Sequence, residues 1–274
     1  MVTDRIPCAW FYEKRDCRPC DRKSLKRSCC MPALKSIRDV LERMEKNWFA
    51  EKPPFSEKVI EAVLLTELFR GSLGFDERSA KHSQPVARGK KGEVDILLRL
   101  PQRMFVIVEV KRPEELLNDR GRRVASKQAA RYVRDMGQEY GVVTDGFCWF
   151  YFRVVHSNQF YKVHPLIRFD IRSHKQIALR MLERSHRRTL ERFLEVLTAI
   201  QCHMTRKMFN DLMNLGHEER VNRLVKMAEE QRLKVASADK KIIGMLFSAD
   251  HAGDLISPSI HHSKRSLLHH EIAT

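Results

Sequence analysis

The run Val94-Asp95-Ile96-Leu97-Leu98-Arg99-Leu100, the break Pro101-Gln102-Arg103, and the run Met104-Phe105-Val106-Ile107-Val108-Glu109-Val110-Lys111 read as two strands joined by a tight turn, because short apolar segments bounded by turn residues have that pattern. Charged residues interrupt both. Side chains of a strand alternate between its faces, so Glu109 and Lys111 share one face while Val108 and Val110 take the other. Asp95 stands among residues that favour burial, and pairing across the turn brings it close to Glu109. Buried charges cost on the order of several kcal/mol each unless they are paired or hold a metal. A hard dication is the natural compensation: Mg²⁺ takes oxygen ligands, usually one or two carboxylates with water and substrate phosphate. Lys111 is then placed to stabilise negative charge developing on a phosphate.

Outward from this pair, Ser56-Glu57-Lys58-Val59-Ile60-Glu61-Ala62-Val63-Leu64-Leu65-Thr66-Glu67-Leu68 sets Val59, Ile60, Val63, Leu64 and Leu68 at helical spacing behind a Ser56 N-cap. Ala80 to Gly92, rich in Lys, Gly and Ser, reads as a polar loop. A second helix is expected over Ser126 to Gln138, with Ala129, Tyr132, Val133 and Met136 along one side. Strands follow at Tyr140–Thr144 and Phe147–Val154 across the turn Asp145-Gly146, with a further one near Tyr161–Ile171 that contains Pro165. From Ser173 the spacing is helical, as in Leu190, Phe193, Leu194 and Leu197, and again in Val221, Leu224, Val225 and Ala228. The expected architecture is α/β, a mixed central sheet flanked by helices, with a helical C-terminal extension. The expected divisions are a basic, Cys-rich arm and linker over 1–54, a core over 55–172, helices over 173–247 and a flexible tail over 248–274.

The 274 residues carry 51 Lys and Arg against 35 Asp and Glu, a net charge of +16, which points to polyanionic partners, nucleic acid first. No apolar run approaches the roughly 18 residues needed to cross a bilayer, so no membrane partner is expected. The N-terminus has no continuous hydrophobic segment of a secretory signal, and an odd number of cysteines, seven, fits reduced thiols, so an intracellular location is expected. Cys8, Cys17, Cys20 and Cys29 contain one Cys-x-x-Cys knuckle, which leaves structural Zn²⁺ and free thiols both open. Nine Lys or Arg between Arg5 and Lys35 stand beside Trp10, Phe11 and Tyr12, offering charge for phosphates and rings for stacking, or simply a solvated arm. The helical region offers a surface through which two copies can pair as a homodimer.

Asp95 followed by Glu109-Val110-Lys111 resembles the PD-(D/E)xK nuclease signature, with Val94 where many members have Pro. Gln128-Ala129-Ala130-Arg131-Tyr132 is similar to the QxxxY helix of the branch holding RecB-type nucleases. The stretch 55–170 most resembles the N-terminal nuclease domain of type I restriction endonuclease motor subunits. The resemblance implies Mg²⁺-dependent cleavage of phosphodiester bonds, in DNA first, with Mn²⁺ as a substitute. It implies that Asp95, Glu109 and the Val110 carbonyl bind the metal and that Lys111 orients or activates the attacking water. Glu61 would hold a metal-bound water or a second ion, and Gln128 with Tyr132 would support Lys111 and the substrate strand. Lys90 and Lys91, just before Asp95, are placed to meet a phosphate backbone. The sequence contains no GxxxxGK[ST] loop, so the ATP-driven motor of type I enzymes has no counterpart in it.

Plainer readings exist for each feature. Glu109 and Lys111 alone make a solvated salt-bridged face, Asp95 an edge-strand charge, Glu61 one of several charges on a helix surface, and Gln128 with Tyr132 an ordinary amphipathic pair. A catalytically silent DNA-binding or adaptor module that keeps the fold is the alternative to an enzyme. The order of helical Glu, hairpin, interrupted apolar strand and QxxxY helix favours the enzyme.

Overall fold

The computed structural model describes residues 37–43, 45–46, 56–86, 92–156, 161–173 and 175–248. The N-terminal cysteines, Lys90, Lys91 and the C-terminal tail lie outside them. Helix α1 spans 57–72, built of Glu57–Val59, Ile60–Leu65 and Glu67–Ser72. Six strands follow: β1 (Ala80–Pro85), β2 (Glu93–Arg99), β3 (Phe105–Val110), β4 (Tyr140–Thr144), β5 (Cys148–His156) and β6 (Tyr161–Asp170). Between β3 and β4 come α2 (Pro113–Leu116) and α3 (Asp119–Asp135), and after β6 come α4 (Lys175–Arg184), α5 (Arg187–Gln201), α6 (Arg206–Met213), α7 (His217–Glu230) and α8 (Ser237–Leu246). The strands form one sheet in chain order. Every neighbouring pair is antiparallel except β3 with β4, the pair joined through α2 and α3. Parallel neighbours need such a crossover.

Alternation along the strands divides the core in two. Ile96, Leu98, Val106, Val108, Trp149, Tyr151 and Phe169 join Ile60, Leu65, Leu68 and Phe69 of α1 and Leu190, Phe193, Leu194 and Leu197 of α5 in the larger cluster. Ile107, Val143, Phe152 and Val154 meet Ala125, Ala129, Ala130 and Val133 of α3 in the smaller one. The helices after residue 173 therefore share the sheet's main core. Ile37, Val40 and Leu41, inside the stretch read from composition as an arm and linker, join that core as well. Arg220, buried in α7, donates to the carbonyls of Leu212, Met213, Leu215 and Phe247 and so ties α6, α7 and the end of α8 together.

Three local expectations need correction. Ala80–Pro85 is a strand rather than a loop: an edge strand with alternating partial exposure has no need of apolar residues on its outer side. Helix α3 begins at Asp119, N-capped by the Asn118 side chain on the Gly121 amide at 2.8 Å, well before Ser126, because its first turns are held by a cap and carry little apolar periodicity. In α1, Val59 and Val63 are exposed, at 39% and 54%. The backbone there winds wider than an α-helix, with the amides of Thr66 and Leu73 reaching back five residues to the carbonyls of Glu61 and Leu68. That winding aligns Ile60, Leu64, Leu65 and Phe69 on the core side and turns Val59 and Val63 away. The Ser56 cap holds as expected, accepting from the Val59 amide at 3.3 Å. Pro165 sits beside the β5–β6 register shift, on an edge strand, where its missing amide costs nothing.

A Cβ on Gly141 would lie 2.3 Å from Phe152 Cζ, and Phe152 is fully buried. Gly141→Ala is expected to destabilise the fold by about 1–3 kcal/mol through overpacking, read as a lower denaturation midpoint with unchanged slope. An unaltered midpoint would show that the ring has room to move.

Candidate active site

The β2–β3 ladder pairs Arg99 with Phe105, Leu98 with Val106, Leu97 with Ile107 and Ile96 with Val108. It ends one rung before Asp95 and Glu109 would face each other. Strand β3 continues against β4, pairing Val110 with Thr144, and the Lys111 amide donates to the Thr144 carbonyl at 2.9 Å. Where β2 parts from β3, the Val110 amide donates instead to Asp95 Oδ2 at 2.7 Å. The carboxylate thus satisfies a backbone donor left without a strand partner. On the other side of β2, the β1 ladder skips the rung at Ser83, which has φ 52°.

Glu109 is 2% exposed. Its Oε1 accepts from Lys111 Nζ at 2.7 Å, and its Oε2 has no hydrogen-bond partner. Lys111 Nζ also donates to Glu57 Oε1 at 3.4 Å. Burial pushes Glu109 up to about 7, with repulsion from Asp95 adding to it and Lys111 opposing. Burial likewise pushes Asp95 up to about 6, against the Val110 amide and Lys111 and with the help of Glu61 and Glu57. Burial favours the neutral form of Lys111, but the carboxylates of Glu109, Glu57 and Asp95 outweigh it and hold its pKa above the ordinary lysine value. The result is two carboxylates that resist ionisation beside an ammonium that resists neutralisation.

Glu61 lies near enough to raise Asp95, but its direct partner is His82 of β1, whose Nδ1 donates to Glu61 Oε1 at 2.7 Å. His82 Nε2 stands 3.3 Å from Thr66 Oγ1, so the imidazole bridges two positions of α1. Gln128 Nε2 donates to the Tyr132 hydroxyl at 3.4 Å. The Tyr132 ring crowds Gly92, where a Cβ would come within 2.8 Å and φ is +123°. Gly92 precedes Asp95 by three residues, so Tyr132 braces the entry to β2. Among the described residues no hydrogen bond joins Gln128 or Tyr132 to Lys111.

Asp95, Glu109, Val110 and Lys111 therefore form one cluster, with Glu61 at its border and Gln128 and Tyr132 as a separate pair. Two contributors were missed from sequence. Glu57 is one helical turn before Glu61, and that spacing is the signal that was available for it. His82 lay in a segment read as loop, and its sequence carried no signal.

Among the described residues no group of three or more His, Cys, Asp or Glu side chains forms a metal cage. Mg²⁺ does not need one, since it keeps several waters and takes one or two carboxylates. The unpartnered, buried Glu109 Oε2 and the raised pKa of both acids fit such an ion, because each is a cost that a dication removes. Both are hard oxygen donors.

Among the described residues no helix is long and apolar enough to cross a membrane. No curated protein and no solved structure matches the chain. A family model described as the type I restriction enzyme R protein N terminus matches residues 64–167. The matched segment runs through β1 to β5 and α3 and ends within β6, includes Asp95, Glu109, Lys111, Gln128 and Tyr132, and begins after Glu57 and Glu61. Over residues 64–167 the chain is therefore similar to the N-terminal region of type I restriction enzyme R proteins.

Proposed function

We propose that the protein hydrolyses phosphodiester bonds of DNA with Mg²⁺, using Asp95, Glu109 and Lys111. The observation that carries this reading is the buried Glu109 carboxylate, which shares one oxygen with Lys111 and leaves the other unpartnered beside Asp95. Asp95 and Glu109 hold the ion, with the Val110 carbonyl as a further donor. When bound, Mg²⁺ polarises the scissile phosphate and makes water a better nucleophile near neutral pH. Lys111 stays protonated under the pull of three carboxylates, so it works as a fixed positive charge for the developing phosphate oxyanion and not as a proton acceptor. Asp95 keeps the Val110 amide bonded, which fixes the end of β3 while the ion is held. The similarity of residues 64–167 to the restriction enzyme R protein N terminus supports DNA as the substrate.

Plasmid nicking is expected to require Mg²⁺ or Mn²⁺ and to stop with EDTA. Asp95→Asn and Lys111→Ala are each expected to lower it by about 100-fold or more, the usual scale for removing an electrostatic group that acts on the transition state. Asp95→Asn should still bind DNA. Cleavage that survives both substitutions would overturn the assignment. Intact binding with no cleavage by the wild type under any metal would identify a silent DNA-binding module.

The raised carboxylates also set a pH dependence. Folded Asp95 and Glu109 keep protons up to about 6 and 7, whereas the unfolded chain releases them near about 4. Their contribution to metal-free stability is thus full below pH about 4 and is lost as pH rises through about 6 to 7. Without metal, the Tm of the wild type should fall from pH 5 to pH 8 by several degrees more than that of Asp95→Asn/Glu109→Gln. Added Mg²⁺ should raise the wild-type Tm at pH 8 and have little effect at pH 5. Equal pH slopes in the two proteins would refute the buried-carboxylate account.

A further inference from the structure

Between Asp119 and Asp135, helix α3 carries Arg120, Arg122, Arg123, Lys127, Arg131 and Arg134 and no acidic residue. Arg122 is turned inward, donating to Asp119 Oδ1 and to the carbonyls of Leu116 and Leu117. The other five are exposed. At about 100° per residue they fall within an arc of roughly 100° on one side of the helix. Arg134 pairs with Asp135 and lies over the Tyr161 ring, and Arg131 lies over the Tyr132 ring at 5.1 Å. Arg120, Arg123 and Lys127 make neither hydrogen bond nor ion pair among the described residues.

Helix stability does not account for this stripe. Like charges three and four residues apart repel one another, and arginines in the first turns oppose the positive end of the helix dipole. The opposite side of the helix supplies the packing, through Ala125, Ala129, Ala130 and Val133, so the cations add nothing to the core. A linear array of exposed cations along one helix, in a protein of net charge +16, is complementary to a linear polyanion.

We propose that Arg120, Arg123, Lys127 and Arg131 form a rail that holds the phosphate backbone of duplex DNA against α3, an inference that rests on the reading of DNA as substrate. The rail is about 16 Å long at 1.5 Å per residue, which spans on the order of five phosphates of one strand at about 3.4 Å each. The helix is also joined to the carboxylate cluster, since Tyr132 beside Arg131 braces Gly92 at the entry to the strand bearing Asp95. The helix bearing the rail therefore packs against the start of the strand that carries Asp95, so a duplex gripped on α3 lies on an element in contact with that strand.

The test uses the full chain and a 30-base-pair fluorescent duplex with EDTA, so that binding is read without cleavage. Arg120→Gln/Arg123→Gln/Lys127→Gln keeps good helix formers at exposed positions and is compared with Lys226→Gln/Lys240→Gln/Lys241→Gln, which removes the same charge from exposed positions on α7 and α8. The rail variant is expected to raise Kd about tenfold or more at 150 mM salt and to lower the slope of log K against log salt by about 2–3, one unit per lost phosphate contact. The control should change both by much less. In Mg²⁺ at subsaturating DNA the rail variant should lose cleavage in step with its loss of binding, whereas Asp95→Asn should bind normally and not cleave. Equal losses in the two triple variants, or none in the rail variant, would overturn the rail. A rail variant that loses binding to phosphatidylserine vesicles while keeping duplex affinity would overturn it in favour of a membrane surface. Loss of cleavage on Asp95→Asn with an unaffected rail variant would leave the nuclease reading standing without this surface.

Discussion

The separation of β2 from β3 at Asp95 is the constraint on which the site depends. Had the ladder run two rungs further, to Val94 opposite Val110, the Val110 amide would have been satisfied by a strand carbonyl, and Asp95 would have been another side chain on a sheet face. Because it stops at Ile96 and Val108, the amide must find another acceptor, and the Asp95 carboxylate provides it at 2.7 Å. One oxygen of Asp95 is thereby fixed by backbone geometry. The strand that carries Glu109 is kept straight from the other side by parallel pairing with β4, whose Asp145 closes the following turn through the amides of Phe147 and Cys148. The two acids are held by different neighbours, and their convergence does not depend on attraction between them.

That arrangement explains the opposed protonation tendencies. Burial raises both carboxylates, Asp95 adds to the rise of Glu109 while Glu61 and Glu57 add to that of Asp95, and a lysine enclosed by three carboxylates is held in its charged form. The Lys111–Glu109 contact relieves only part of the cost, since Glu109 Oε2 remains without a partner. A buried ion pair with one oxygen left over is poor value as a stabilising device. The leftover oxygen is a hard donor open to a ligand.

Sequence carried most of this, for identifiable reasons. Asp95, Glu109 and Lys111 were legible because strand alternation turns a charged residue within an apolar run into a statement about one face. The hairpin, the crossover helix, the β4–β5 pair and the helices after residue 173 were legible because their burial is periodic. His82 was not, because β1 is a polar edge strand and its pairing comes from β2 rather than from its own composition. The first turns of α3 were hidden for a related reason: Arg120, Arg122 and Arg123 give no apolar period, and the Asn118 cap holds the helix start. The misplacement of Val59 and Val63 came from assuming α-helical winding where the amides of Thr66 and Leu73 reach back five residues.

The two sides of the sheet are packed differently, and the difference bears on the site. The α1 side is filled by large rings, Trp149, Tyr151, Phe169 and Phe193 in mutual contact, and the later helices cover it. The α3 side is lined by Ala125, Ala129 and Ala130, small residues that let this helix lie close to β3 and β4. Close approach is what allows the Tyr132 ring to reach Gly92, and Gly92 in turn tolerates it because it has no Cβ and adopts a positive φ. A larger residue at any of the three alanines would lift the helix from the sheet, withdraw the ring from the start of β2 and loosen the segment that positions Asp95. The charged cluster at the strand ends is therefore set in part by apolar spacing on the helix above it.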